Sequence, residues 1–268
     1  MSTEFKTLTF ERGRDGVAVV TLSRPEVRNA FDADLITELH QVFAGPAVDD
    51  LTRAVILRGQ GPAFCAGADL AWMRASAKLS LEENRKGAER MARMFRSVAE
   101  CLVPVVAVVH GAALGGGAGL VAAADVAIGV PTAKIGFTEV RLGIVPAVIA
   151  PFVLRKIGRT HASRYFVTGE IFDGIEADRI GLLQRVVEPE HLEAEVDRFV
   201  SHVLAAGPHA TRESKRLIEL VDGVPVRDCT AVTAPLIARL RASEEGQEGM
   251  SAFLEKRKPT WVGPRTDS

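Results

Sequence analysis

The sequence predicts an α/β fold that ends in a helical region. Over the first half of the chain, short apolar runs rich in β-branched residues alternate with amphipathic helical patterns. Beyond residue 150, strand-like runs become scarce and helical patterns follow one another. This order indicates a mixed α/β core over residues 1–200 and a helical C-terminal region over residues 201–268.

The predicted elements of the first half are bounded by turn and capping residues. Asp32 can cap a helix that ends at Gly45, and Ser80 can cap a second helix that reaches about Glu100. The stretch that follows Asp69, up to about Ser80, is polar and has the composition of a mobile segment, and no helix or strand is predicted in it. Strands are predicted at residues 17–22, 54–57, 104–109 and 125–130, and an Ala-rich helix is predicted just beyond Gly116 and through Ala124. The later helices are predicted at residues 150–157, 161–167, 174–180, 189–206, 208–221 and 231–254.

Composition and charge exclude several classes of protein. Lys and Arg (33) nearly balance Asp and Glu (34), and no basic block is long enough to neutralise a run of phosphates, so nucleic acid is not expected as a partner. The three cysteines and six histidines show no metal-ligand or disulfide spacing, so no metal is expected. No apolar run has membrane-spanning length and the start of the chain lacks a signal-peptide pattern; we expect a cytoplasmic protein that does not contact a membrane.

Two loops rich in glycine and alanine follow predicted strands, at residues 63–70 and 110–119. Without bulky side chains, backbone N–H groups in such loops can approach a ligand, and the helix that opens near Gly116 adds the positive end of its dipole. Each loop is therefore a candidate anion cradle, although each could instead be a tight packing turn. A dinucleotide fingerprint is not supported, because Leu120 stands where the spacing requires glycine or alanine.

Four segments together resemble the ordered motifs of the crotonase superfamily, which includes enoyl-CoA hydratases and isomerases. They are AFCAGADL at 63–70, GAALGGGAGL at 111–120, FTEVRLGIVPA at 137–147 and GMSAFLEKRKP at 249–259. The resemblance implies a spiral of ββα units, a C-terminal helical region that mediates trimerisation, and a homotrimer or a dimer of trimers. It also implies an acyl-CoA thioester as the substrate and no other cofactor.

The resemblance implies a catalytic role for three residues. The backbone N–H groups of Ala68 and Gly116 would form the oxyanion hole that binds the thioester carbonyl, and Glu139 would be the acid-base carboxylate. Glu139 could instead be a surface residue that pairs with Arg141. The implied substrate- and CoA-binding positions are Val27, Arg28, Ala30, Ala66, Ala68, Asp69, Leu70, Gly115, Gly116, Gly119, Ala147, Phe253 and Lys256, the last two reaching the CoA of a neighbouring subunit.

One departure from the family pattern bears on the reaction. The best-known hydratases carry a second glutamate two residues after the glycine triplet, where this chain has Gly119. This departure, a changed segment PAVIA at 146–150 and the segment DLAWM at 69–73 resemble bacterial methylglutaconyl-CoA or isohexenylglutaconyl-CoA hydratases of leucine and acyclic terpene breakdown, whose substrates carry a carboxylate of their own. That carboxylate could assist the reaction or bind Arg74 or Arg141.

The sequence leaves three functions open. The first is a lyase that adds water across the 2,3-double bond of an enoyl-CoA, including a branched or carboxylated one such as 3-methylglutaconyl-CoA. The second is an enoyl-CoA isomerase that uses Glu139 alone to move a proton between two carbons. The third is a CoA-binding or RNA-binding protein without catalysis, which the balanced charge and the presence of Glu139 disfavour.

Overall fold

The computed structural model describes residues 5–45 and 47–262, which fall into two compact units. Among the described residues, the first unit comprises 5–45, 47–101 and 105–196, and the second comprises 102–104 and 197–262. The α/β class and the helical C-terminal region are confirmed. The division into domains at residue 200 stays a prediction.

The first unit is built on a six-stranded sheet and a small three-stranded sheet. Its strands are β1 (Leu8–Arg12), β2 (Val17–Leu22), β3 (Ala54–Gly59), β4 (Val105–Val109), β5 (Ala112–Leu114), β6 (Val126–Gly129), β7 (Lys134–Gly136), β8 (Ile171–Phe172) and β9 (Arg185–Val186). The large sheet has the order β1-β2-β3-β4-β6-β9, and the pairs from β2 onward are parallel. The small sheet has the order β5-β7-β8.

Helices lie between these strands, and in the described part of the chain only helices follow β9. They are α1 (Ala33–Ala44), α2 (Leu70–Ser76), α3 (Leu81–Ala99), α4 (Gly116–Ala123), α5 (Ala150–Thr168), α6 (Gly174–Arg179), α7 (Leu192–Ala205), α8 (Pro208–Val221), α9 (Val226–Ala242) and α10 (Glu244–Leu254). The boundary between the two units falls within α7. Both predicted caps are confirmed: Asp32 accepts a hydrogen bond from Leu35 N at the start of α1, and Ser80 forms a capping box with Glu83 at the start of α3.

Parallel pairing explains the composition of the central strands. Every residue of β4 is buried, since this strand has a neighbour on both edges and is covered on both faces. The strand β2 instead alternates between buried and partly exposed residues. Because parallel strands direct their carboxyl ends to the same edge, the loops that follow β3 and β4 leave the sheet together.

Several predictions of local structure were wrong. The stretch 69–80 contains α2, which Asp69 caps by accepting hydrogen bonds from Ala71 N and Trp72 N. By contrast, the two separate helices predicted at 150–157 and 161–167 agree with the structure, because the backbone of α5 leaves the helical conformation at Gly158, whose φ is 68°. The single helix predicted at 231–254 is two helices, because Ser243 has extended backbone and its side chain caps α10.

Glycine substitutions in two helices should have opposite effects on stability. In α4, a Cβ at Gly117 would lie 2.1 Å from the carbonyl oxygen of Cys65, whereas in α3 a Cβ at Gly87 meets only Arg90 Nη2, at 3.8 Å. We expect Gly117→Ala to lower the free energy of unfolding by about 1–3 kcal/mol through overpacking. Gly87→Ala should raise it by about 0.5–1 kcal/mol through helix propensity. Urea denaturation measures both, and equal effects would contradict the packing described for Gly117.

Candidate active site

The two glycine-rich loops are joined to each other by backbone hydrogen bonds. Cys65 and Ala113 form a parallel bridge, in which Cys65 N donates to Ala112 O at 2.9 Å and Leu114 N donates to Cys65 O at 3.0 Å. Burial raises the pKa of the Cys65 thiol to about 12, so this side chain packs as a small neutral group. The bridge fixes the position of the first loop relative to the second.

Close approach of the two loops depends on Gly67. Its φ is +96°, and a Cβ at this position would lie 2.8 Å from Leu114 O and 4.0 Å from Gly115 N. A side chain would therefore strain the backbone and push the loops apart. As a result, Ala68 on the first loop lies beside the start of α4 on the second.

The two proposed oxyanion donors are free to bind a ligand. Phe31 N donates to Gly67 O at 2.7 Å and Asp69 N donates to Phe31 O at 2.9 Å, so the bonds on either side of Ala68 are made. The N–H groups of Ala68 and Gly116 have no acceptor among residues 5–45 and 47–262. Gly116 is the first residue of α4, where the helix dipole also favours negative charge.

Glu139 reaches the same place from a third segment. A 3-10 turn at Thr138–Leu142 follows β7, and the end of β7 is tied to the second loop because Gly115 N donates to Gly136 O at 2.8 Å. The Glu139 carboxylate lies against Gly115, with Oε1 3.3 Å from the position of a Cβ at that glycine. The structure thus brings Ala68, Gly116 and Glu139 together.

The Glu139 carboxylate lies in an environment that disfavours its charge. Oε2 is buried and has no hydrogen-bond partner in the described part of the chain. Burial raises the pKa of Glu139, and a backbone hydrogen bond to the residue's own N–H only partly opposes the shift. Desolvated carboxyl groups with raised pKa values are typical of acid-base catalysts. The alternative role as a surface residue paired with Arg141 has no ion pair to support it among the described residues.

The predicted CoA-binding residues Val27, Arg28 and Ala30 lie in and next to a turn that is hydrogen-bonded to the first loop. A 3-10 turn at Pro25–Val27 ends at Arg28, which has left-handed backbone with φ of 55°. Arg28 O accepts a hydrogen bond from Ala66 N at 2.9 Å. Val27 and Arg28 are exposed and Ala30 is buried beneath them.

Asp69 and Leu70 have different environments although they are adjacent. The Asp69 carboxylate is buried, caps α2 and lies 3.0 Å from Arg24 Nη2. Burial alone would raise its pKa, but the hydrogen bonds from Trp72 N and Ala71 N and the charge of Arg24 together lower it. Leu70 is 71% exposed. Leu70 is therefore open to a ligand, whereas Asp69 already has partners within the protein.

No space remains at Gly119 for a second carboxylate. A Cβ there would lie 2.3 Å from Ile149 Cγ2 and 3.1 Å from Phe95 Cε1, and all three residues are buried. Ala147, by contrast, is exposed, in a segment that follows Glu139. The structure therefore places a hydrocarbon wall where the two-glutamate hydratases carry their second acid.

Phe253 and Lys256 belong to the second unit. Phe253 lies near the end of α10 and is 83% exposed, and Lys256 follows with φ of 55°. Their role in binding CoA stays a prediction. Within residues 5–45 and 47–262, the structure shows no cluster of metal-ligating side chains, and none of its helices could cross a bilayer.

Sequence reasoning did not identify Arg24 or Phe31 as parts of this site. Arg24 contacts two capping carboxylates, and Phe31 bonds both flanks of Ala68. The sequence predicts the cap at Asp32 but not the cap at Asp69, and nothing in it shows that the two residues share one arginine. A backbone bridge such as that of Phe31 gives no side-chain signal at all.

Comparison with known proteins assigns the chain to a family. The sequence model described as enoyl-CoA hydratase/isomerase matches residues 12–264. The crotonyl-CoA hydratase of Syntrophomonas wolfei is 34% identical over 248 residues, which cover 92% of this chain and 94% of that protein. The crystal structure of an enoyl-CoA hydratase from Shewanella pealeana has a TM-score of 0.91 and 36% identity over 96% of this chain and 97% of that one. Pseudomonas aeruginosa AtuE has a TM-score of 0.93 and 36% identity over 96% and 100% of the respective chains.

The chain belongs to the enoyl-CoA hydratase/isomerase family, and its predicted membership of the crotonase superfamily and the predicted fold are confirmed. This is a family of enzymes. The particular similarity to methylglutaconyl-CoA hydratases stays a prediction.

The raised pKa of Glu139 makes its ionised form destabilising in the folded state. We expect Glu139→Gln to be more stable than the native protein at neutral pH, with a gap that narrows as the pH falls towards 4.5, the ordinary value for glutamate. Glu82 is the matched control. Its hydrogen bond to Arg85 lowers its pKa, so the ionised form of Glu82 stabilises the folded protein. Glu82→Gln should therefore be less stable than the native protein over the same pH range. Urea denaturation at several pH values gives both curves. A loss of stability in Glu139→Gln at neutral pH would contradict the desolvated environment of Oε2.

Proposed function

We propose that this protein is an enoyl-CoA hydratase that adds water across the 2,3-double bond of an acyl-CoA thioester. The observation that carries the proposal is the position of Glu139, a desolvated carboxylate against Gly115, beside two backbone N–H groups that have no acceptor in the described part of the chain. The name of the relative from Syntrophomonas wolfei, a crotonyl-CoA hydratase, supports the same reaction.

Ala68 and Gly116 would supply the electrostatic part of the catalysis. When water attacks C3 of the enoyl group, the π electrons move through C2 onto the thioester oxygen, which becomes an enolate oxygen. The two N–H groups would bind that oxygen more tightly than the neutral carbonyl. Each donor of this kind stabilises a transition state by about 3–4 kcal/mol in enzymes where one has been removed.

Glu139 would transfer the proton. Its ionised carboxylate takes a proton from water as the water oxygen bonds to C3, and the resulting carboxylic acid returns that proton to C2 as the enolate collapses. The net change is the addition of H and OH, and the carboxylate is regenerated. A raised pKa suits both steps, because the group must accept a proton and release it near neutral pH.

The CoA part of the substrate would lie along the turn beside the first loop. Val27, Arg28 and Leu70 are exposed there, and Ala66 is tied to Arg28 by the 2.9 Å hydrogen bond. Arg28 would pair with phosphate. The reaction as written needs no cofactor other than the CoA of the substrate.

An enoyl-CoA isomerase is the second candidate, and the wall at Gly119 favours it. Ile149 and Phe95 fill the space of a second acid, so the protein itself supplies one carboxylate, Glu139, at this position. One carboxylate is sufficient to remove a proton at one carbon and return it at another without water. Product identity separates this reaction from hydration.

A carboxylated substrate such as 3-methylglutaconyl-CoA would compensate for the missing acid. Arg74, in the last turn of α2, and Arg141, in the turn that carries Glu139, are exposed. Neither has an acidic partner among the described residues. Either could bind the carboxylate of the substrate, which would agree with a role in leucine degradation.

Assembly and location are proposed together with this function. Phe253 would stack on, and Lys256 would pair with, the CoA of a neighbouring subunit in a homotrimer or a dimer of trimers. The exposure of Phe253 in the single chain agrees with such a role. A cytoplasmic location would give the enzyme access to acyl-CoA.

The function is tested by turnover of crotonyl-CoA, 3-methylglutaconyl-CoA and a 3-enoyl-CoA, with products identified by mass. We expect water addition by the native protein and a loss of at least about 100-fold in kcat for Glu139→Gln, because general acid-base catalysis is removed. Glu82→Gln, on α3, should keep native activity. Conversion of the 3-enoyl-CoA without any gain of water would establish the isomerase instead.

The carboxylate-binding arginine is tested by comparing two substrates. If Arg74 or Arg141 binds the carboxylate, replacing that residue with Met should raise KM for 3-methylglutaconyl-CoA by about tenfold, equivalent to ~1.4 kcal/mol. KM for crotonyl-CoA, which lacks the carboxylate, is the internal control and should not change. Equal effects on both substrates, or no effect in either variant, would contradict the proposal.

A further inference from the structure

We propose that Arg24 is a positioning residue that holds the backbone N–H of Ala68 in its catalytic orientation. The inference rests on the proposed function, since it gives Ala68 the role of an oxyanion donor. Arg24 contacts Asp69, which follows Ala68 in the chain, and it contacts Ala30 and Asp32 on either side of Phe31.

The guanidinium of Arg24 joins three points of the protein. Nη2 lies 3.0 Å from Asp32 Oδ2 and 3.0 Å from Asp69 Oδ2, and Nη1 donates a hydrogen bond to Ala30 O. The side chain is only 16% exposed, so water competes weakly for these bonds. The planar guanidinium can make all three contacts at once.

Two of those points lie on either side of Phe31, and the third is the residue that follows Ala68. Phe31 lies between Ala30 and Asp32, and its N–H and C=O are bonded to Gly67 O and Asp69 N. Arg24 binds the Phe31 segment through Ala30 O and the Asp32 carboxylate, and it binds the first loop through the Asp69 carboxylate. These contacts tie the Phe31 segment to the first loop next to Ala68, whose N–H has no acceptor among the described residues.

Arg24 is itself fixed. Its backbone N donates to Asn29 Oδ1 at 2.9 Å. Asn29 is buried and its Nδ2 donates to Ala63 O at 2.8 Å and to Gln60 O at 2.9 Å. The arginine is thus anchored to the strand end from which the first loop departs.

Removal of Arg24 would leave two carboxylates close together without a shared cation. Asp32 caps α1 through Oδ1 and Asp69 caps α2 through Oδ1, so each carboxylate directs its second oxygen to Arg24. Their repulsion would move the start of α2, which directly follows Ala68. Small misplacement of a catalytic group costs up to about 100-fold in rate, so the effect should appear in kcat.

A purely structural arginine would behave differently, and Arg12 is a suitable control. Arg12 Nη1 lies 2.5 Å from Asp49 Oδ1 in the same unit, and neither residue is part of the site. We expect Arg24→Met to lower kcat for the enoyl-CoA substrate by about 10- to 100-fold with KM changed by less than about threefold. Arg12→Met should leave both constants unchanged. Arg24→Lys should recover only part of kcat, because lysine keeps the positive charge but lacks the planar set of N–H donors that a guanidinium offers.

A spectroscopic measurement separates this inference from the proposed reaction. Butyryl-CoA labelled with ¹³C at the thioester carbonyl has no double bond to react, and an oxyanion hole polarises its carbonyl and lowers the infrared stretching frequency. We expect a shift to lower frequency on binding to the native protein and to Arg12→Met, and a shift at most half as large in Arg24→Met.

The outcomes are distinguishable. A full shift and native kcat in Arg24→Met would overturn the role of Arg24 while leaving the oxyanion hole in place. A higher KM with unchanged kcat would show that Arg24 serves CoA binding, which also overturns the inference. No shift in the native protein would overturn the assignment of Ala68 and Gly116 itself.

Discussion

The structure of the site depends on the backbone bridge between Cys65 and Ala113. Two loops that leave neighbouring parallel strands would diverge if each packed only on its own helix. The hydrogen bonds at this bridge hold them side by side, and Gly67 permits the contact because a side chain there would meet Leu114 O. Placing Ala68 beside Gly116 is a consequence of this bridge, and the hydrogen bond from Gly115 N to Gly136 O extends the same backbone framework to the segment of Glu139.

Among the described residues, most hydrogen-bonding groups of the site have a partner within the protein, and three do not. The bonds that flank Ala68 are made, the Asp69 and Asp32 caps are occupied, and the thiol of Cys65 is neutral. Among the described residues, the N–H groups of Ala68 and Gly116 and Oε2 of Glu139 have no partner. A buried polar atom without a partner is costly, and Oε2 of Glu139 is such an atom beside two half-buried residues with unpaired N–H groups, so the arrangement indicates a ligand that supplies the missing bonds.

Sequence reasoning predicted the fold class, the caps at Asp32 and Ser80 and the long apolar strands, because these depend on local patterns. It missed β1, the short strands β5, β7, β8 and β9, and the seven-residue helix α2, none of whose residues is buried; a short element gives little periodic signal in the sequence. Ordered motifs indicated Ala68, Gly116 and Glu139, which the structure brings together. The wall at Gly119 and the contacts of Arg24 could not be predicted, since they join residues 30 and 45 positions apart in the chain.

The wall at Gly119 also constrains how this enzyme could have diverged from relatives with two glutamates. A glutamate introduced at position 119 would overlap Ile149, and overpacking of this kind typically costs about 1–3 kcal/mol of stability. Ile149 must first become smaller, which leaves a cavity that costs stability. A smaller residue at position 149 would therefore have to precede a glutamate at position 119. The present pair, Gly119 and Ile149, hinders the return of the second acid.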